Sequence, residues 1–357
     1  MSAFSCKPRQ RHFANEATCK TTRLSSGANC KALFSKPRVL TRTAVKSFAA
    51  KYRGTVSASA TAPSAEDLNS QHGIPGSVSV VEGECGNPKV VLTHESGASA
   101  EVYLFGACIS SWKQVSGDEV LYIRPDAKFD KSKPISGGIP HCFPQFGPGE
   151  IQQHGFARNL DWEISSTSSD LSPDEKDPEV ELCLVDNDYT RSMWDHKFKL
   201  VYSVSLHGEE LRTHYRVVNT GDKPFTFTAA LHSYIEVAGI QNARVRGLKG
   251  LTYLDKVEDA ANPAKRTQQE DLVAFSGPKD SVYLGAPEYI ELDVGTGAAV
   301  ALSSTGWEDV VVWSPWDAMP DCYEHFCCVE NARVGNPVTV PPGESWEARA
   351  DFKVIDL

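Results

Sequence analysis

From about residue 78 onward the chain is written in short runs of alternating apolar and polar positions. Runs at 78–81, 89–93, 101–105, 179–184, 199–206, 225–235, 298–302 and 310–313 are mostly rich in Val, Tyr, Phe or Thr, with Gly, Asn and Asp between them. A period of two puts successive side chains on opposite faces of a strand, and such residue types suit a pleated surface. Helical spacing is nearly absent; residues 189–193 would make about one turn. Many short strands over roughly 280 residues, with no internal repeat, predict an all-β protein, a large antiparallel β-sandwich.

One run is long enough to read face by face. Taken as a single strand, residues 225–235 place Phe225, Phe227, Ala229, Leu231, Ser233 and Ile235 on one face, which is the core face. Thr226, Thr228, Ala230, His232 and Tyr234 share the other. His232 is therefore not a core histidine by pattern; it sits among hydroxyls. By itself, a solvated His on a strand fits the same positions.

Charge changes the picture at the N-terminus. The 357 residues carry 36 basic and 46 acidic groups, a formal net of −10. Residues 1–60 hold twelve Lys/Arg and only Glu16 as an acid, a local +11, with fourteen Ser/Thr and no long apolar run. That is the composition of an organelle transit peptide, with chloroplast the expected destination. The expected organisation is a transit peptide over 1–60, a small, polar linker over 61–78, and one β-sandwich domain over 79–357. The remaining chain, at −21, lacks the clustered Lys and Arg that nucleic-acid phosphates require. No run of about 18 apolar residues suggests a membrane-spanning helix.

Ten cysteines form no C-x-x-C pair. Three lie in the leader, and the seven others, an odd number, do not make a secreted disulfide framework. They read as small buried hydrophobes, with Cys327 and Cys328 on opposite faces of a strand. The seven Trp read as core rather than sugar-stacking platforms, with Trp316, in a loop-like Ser-Pro-Trp-Asp, the exception. Gly137-Gly138 lacks the context of a phosphate loop and reads as a tight backbone turn.

Three places carry candidate chemistry. Residues 152–159, Gln-Gln-His-Gly-Phe-Ala-Arg-Asn, concentrate amides, an imidazole and a guanidinium; they suit a polyhydroxylated or anionic ligand, or else make a surface turn. Glu330 follows an apolar run, so it is either a desolvated carboxylate suited to general-base work or an ordinary strand-end acid. His232 is the third. A His and a carboxylate brought together by a sandwich could act as acid and base, which leaves hydrolysis, isomerisation and lyase chemistry open.

The order of motifs adds a resemblance. Residues 102–108 (VYLFGAC), Gly137-Gly138-Ile139-Pro140 with 143–147 (FPQFG), 153–159 (QHGFARN), 230–234 (ALHSY), 312–316 (VWSPW), 328–330 (CVE) and 342–346 (PGESW) resemble, in sequence order, the glucose-6-phosphate 1-epimerases of the aldose 1-epimerase, galactose mutarotase-like superfamily. The match spans about residues 79–357. It implies a β-supersandwich and interconversion of α and β anomers of a hexose, typically glucose 6-phosphate. It implies His232 as general acid, Glu330 as general base, and Gln153, Arg158 and Asp280 as substrate-binding residues, in a monomer needing no metal or other cofactor.

There is a departure. Where this family commonly has Arg before the diglycine, the chain has Ser136. An arginine there would grip phosphate, and serine is no conservative replacement; Lys131, Lys133 and Arg158 are the candidates to compensate. A non-catalytic role, as a sugar-binding or scaffold subunit of a chloroplast complex, is the competing expectation.

Overall fold

A computed structural model of the chain describes residues 63–169 and 177–357. The expected transit peptide, with Cys6, Cys19 and Cys30, lies outside the described residues. Part of the expected linker is helical. Ala65–His72 form a helix whose N-cap Ser64 accepts from the Asp67 N–H at 3.1 Å, while the Asp67 carboxylate accepts from the Ser64 N–H at 3.2 Å. This reciprocal cap satisfies backbone donors that the helix leaves open, and buried Leu68 anchors it to the core. Composition hid the helix because the cap residues are the same small polar types that fill linkers.

The strands form three antiparallel sheets. Four consecutive strands, Val78–Glu82, Pro88–Thr93, Ser99–Tyr103 and Cys108–Lys113, make a meander. A nine-stranded sheet contains a second meander, from Glu163–Ser169 to Glu210–Asn219, continued by Ser345–Asp356 and Ala298–Thr305. The third sheet has eight strands centred on Phe326–Val340, which pairs with Asp309–Ser314 on one side and with Phe225–Leu231 and Tyr234–Glu236 on the other. The one expected helical turn is real, as Asp188–Met193 capped by Asn187.

Strands with one dry face alternate as expected. Pro178–Val185 buries Pro178, Val180, Leu182 and Leu184 and leaves the intervening positions more open. Inner faces of the three sheets meet in one continuous core that includes Val90, Leu182, Phe198, Phe227 and Val329. The seven cysteines among the described residues are all unpaired, and Cys108, Cys142, Cys322, Cys327 and Cys328 are buried. Cys327 belongs to the main core and Cys328 to a separate cluster, as opposite faces of one strand require.

The eight-stranded sheet departs from simple alternation. The expected single strand over 225–235 is interrupted at His232–Ser233, where His232 N–H donates to the Pro140 carbonyl instead of to a strand partner. The core face is as expected: Phe225, Phe227, Ala229, Leu231 and Ile235 all join the main core. The other face is open only at its start, where Thr226 is exposed. Ala230 and Tyr234 lie in two further apolar clusters, and His232 is only 8% exposed. A stretch of sheet covered on both sides is not solvated, whatever its residue types suggest.

Candidate active site

Strand register builds the centre of the site. Leu231 stands opposite Asn331 and Tyr234 opposite Cys328, so the same register carries His232 across from Glu330. Their side chains meet, with His232 Nδ1 3.3 Å from a Glu330 carboxylate oxygen. Glu330 is not at a strand end: it is the fifth residue of Phe326–Val340 and 1% exposed. Next along the same face, Cys328 pairs with Trp313, and Trp313 with Asp280. Asp280 is thus the second residue of its strand rather than a turn acid.

These groups open onto a cavity of about 390 Å³. Gln153, Arg158, Asp280, His232 and Glu330 all line it, so the five expected site residues converge. Tyr234 stacks on His232 with ring centres 4.8 Å apart, and Trp313 stands edge-on at 5.7 Å. Trp316, the tryptophan singled out in sequence, packs on Tyr323 and is not among the lining residues; Trp313 is.

The loop carrying Gln153 and Arg158 is held by backbone contact. Phe156 N–H donates to the Phe143 carbonyl at 2.9 Å, and Phe143 N–H to the His154 carbonyl at 3.1 Å. Gly155 lies between them at φ +72°, where a Cβ would come within 2.0 Å of the Phe143 oxygen. Only glycine permits that approach. Arg158 then reaches back to donate to the Gln153 carbonyl at 2.9 Å.

Sequence reasoning passed over His154. It is buried, takes φ +65°, and stands edge-on to His232 with ring centres 5.4 Å apart. Its Nδ1 accepts from the Gly147 N–H at 3.2 Å and faces the Cys142 thiol at 3.1 Å. An accepting Nδ1 places the neutral ring's proton on Nε2. Burial, with Arg158 and Lys256 nearby, lowers its pKa to about 3. Its place between Gln153 and Arg158 was the available signal. Lys256 was also missed. It lines the cavity and lies 5.1 Å from the Phe146 ring centre, and no local motif marks it.

Electrostatics favour uncharged forms of the central pair. Burial pushes Glu330 well above the ordinary carboxylate range, Asp280 adds to this, and Lys256 and Arg158 oppose it. Burial, then the neighbouring His154 and Arg158, hold His232 well below an ordinary imidazole. Both shifts run towards the uncharged forms, and the two groups titrate as a coupled pair. Burial also raises Asp280, against the pull of Lys256.

Donor atoms of His232, Cys328 and Glu330 lie within 4.8 Å of one another, a set of the kind that holds zinc. Burial raises the Cys328 thiol well above its usual pKa, which favours S–H over the thiolate a metal needs. Of the compensating cations expected for Ser136, Arg158 lines the cavity. Lys131 instead pairs with Asp161 at 2.7 Å, and neither it nor Lys133 is among the lining residues.

Comparisons agree with this geometry. Residues 88–353 match the sequence profile of the family described as aldose 1-epimerase. A candidate glucose-6-phosphate 1-epimerase of Cenchrus ciliaris is 36% identical over 77% of this chain and 87% of its own length. One from Escherichia coli is 31% identical over 68% of this chain and 82% of its own. The crystal structure of a candidate mutarotase from Salmonella typhimurium superposes with a TM-score of 0.71 at 26% identity, covering 80% of this chain and 96% of that one. The chain belongs to the aldose 1-epimerase family, a family of isomerases, and has the galactose mutarotase-like fold. Among the described residues, no helix is long and apolar enough to cross a membrane.

Proposed function

We propose that the chain interconverts the α and β anomers of glucose 6-phosphate, with His232 and Glu330 as its acid–base pair. The observation that carries this reading is the cross-strand contact of 3.3 Å between two buried titratable groups that both open onto one cavity. The reacting form has Glu330 ionised and His232 protonated; Lys256 beside the carboxylate favours it, while Arg158 favours the ionised Glu330 and opposes the protonated His232. Glu330 then accepts the proton of the C1 hydroxyl while His232 donates its proton to the ring oxygen. The C1–O5 bond breaks, C1 becomes an aldehyde carbon, and rotation about C1–C2 exposes its other face. Reclosure runs the transfers backwards, and protons balance over the cycle. Each transfer supplies on the order of 10²–10⁴-fold.

The surrounding residues suit a sugar. Gln153 offers an amide to hydroxyls, Asp280 an acceptor, and neutral His154 an Nε2–H donor. Trp313 and Tyr234 give apolar walls. The 6-phosphate finds support in the cations that line an otherwise acidic protein's cavity.

The test is direct. Freshly dissolved α-glucose 6-phosphate, and separately α-glucose, are mixed with the full-length protein and the anomeric protons followed by NMR. Faster equilibration of the phosphate than of the free sugar is expected. Acceleration of neither sugar overturns the reading and leaves a sugar-binding or scaffold role.

A further inference from the structure

We infer that Arg124 is the residue that recognises the substrate's anionic end, standing directly beside Ser136. This deepens the glucose 6-phosphate reading above and rests on it. Arg124 N–H donates to the Ser136 carbonyl at 3.0 Å, and Gly138 N–H to the Tyr122 carbonyl at 2.9 Å. Gly137, between those two contacts, takes φ +129°, and a Cβ there would come within 2.5 Å of the Tyr122 oxygen and 2.6 Å of the Ile123 Cα. Two backbones in direct contact put residues 124 and 136 side by side, and both line the cavity. The diglycine is thus a crossing point rather than a simple turn.

The cations of the cavity overlap in reach but differ in position. Lys256 and Arg158 act on Glu330. Arg124 acts on His232 and Tyr234, as Arg158 also does, and of the three only Arg124 is paired through its backbone with Ser136. A ligand that places its reacting carbon between His232 and Glu330 and carries an anionic group towards Ser136 meets Arg124. A hexose phosphate is such a ligand; an unsubstituted hexose leaves Arg124 unused.

Arg124 is held ready for that task. Its Nε and Nη2 donate to the two Asp126 carboxylate oxygens at 2.9 and 2.6 Å. Asp126 is 62% exposed on its side chain and Arg124 only 17%, so the carboxylate comes from the solvent side and the guanidinium stays put. An exposed carboxylate is a weak competitor. A phosphate offers two negative charges and three acceptor oxygens to the same fork.

The experiment reads binding and turnover separately. Isothermal titration of glucose 6-phosphate and of glucose is run on the full-length protein, on R124A, on R124K, and on the exchange variant R124S/S136R. R124A should weaken glucose 6-phosphate about tenfold or more, and the ratio of phosphate to free-sugar affinity should fall with it. R124K should fall between R124A and wild type, because it keeps charge and loses the fork. R124S/S136R should regain most of the ratio by restoring a guanidinium from the adjacent position. An unchanged ratio in R124A, or an exchange variant as poor as R124A, overturns the assignment. Binding is read without turnover. A wild type that binds the phosphate but accelerates neither sugar therefore overturns the epimerase reading alone, and Arg124 is still judged on the ratio.

Discussion

Two histidines lie on opposite faces of the same sheet, both buried, with opposite meanings. His141 pairs with Leu231 and projects into the main core. Tyr202 meets it edge-on at 4.4 Å, and Trp162 and Tyr215 stack at 5.1 and 5.4 Å. Its Nε2 reaches only the Ala107 carbonyl, at 3.1 Å. His232, on the other face, meets a carboxylate across the strand and a cavity. Burial lowers the pKa of both, to about 4 for His141. Perturbed acidity alone therefore does not mark a site here; a titratable partner and an opening to substrate do.

The sharpest way to break the contrast is to remove the titratable groups of the cavity face. E330Q and H232N should each lower kcat by about 10²–10⁴-fold. E330Q should melt at the wild-type temperature or above, because glutamine fills the space without burying a group that can ionise. Anomer exchange by NMR beside a thermal melt checks this. A lowered melting temperature with retained turnover would make Glu330 structural.

The core face should behave oppositely. H141A removes a ring packed among three aromatics and should cost about 2–4 kcal/mol in denaturant unfolding. Its kcat, measured where the variant is folded, should stay within about threefold of wild type.

Acid stability gives the smallest and finest test. His141 takes up its proton near 6.5 when unfolded but only near 4 when folded. The unfolded state therefore binds more protons within that window, and stability falls as pH drops from about 6.5 towards about 4. One such group contributes up to roughly 1.4 kcal/mol per pH unit. H141A should lose stability less steeply than wild type over that range; parallel curves would show that His141 titrates alike in both states.

Much of this was legible along the chain. Alternation in runs such as 179–184 and 199–206 marked strands because one face of each is dry, and periodicity reports that difference. Four of the five expected site residues sit in the quoted motifs and Asp280 came from the family resemblance alone; the structure brings all five to one cavity. His154 sat inside a quoted motif, yet a lone histidine carries no sign of whether it packs or reacts. Glu330 looked like a strand-end acid because the polar stretch after it hides that the strand continues to Val340. The helix at Ala65–His72 was written in Ser64 and Asp67, a local signal that composition obscured.

Displayed along the chain were the class of fold, the core face of residues 225–235, the family, and five candidate positions that the fold gathers round one cavity. Those depend on local periodicity and on residue types in order, which a linear chain displays. Tertiary structure alone decided that His232 faces Glu330, that both are buried yet open onto one cavity, and that Lys256 joins them from beyond the end of another strand. It alone decided that Lys131 spends its charge on Asp161 while Arg124 stands beside Ser136. Register, burial and charge proximity arise between residues distant in sequence, and only the packed sheets bring those residues within reach of one another.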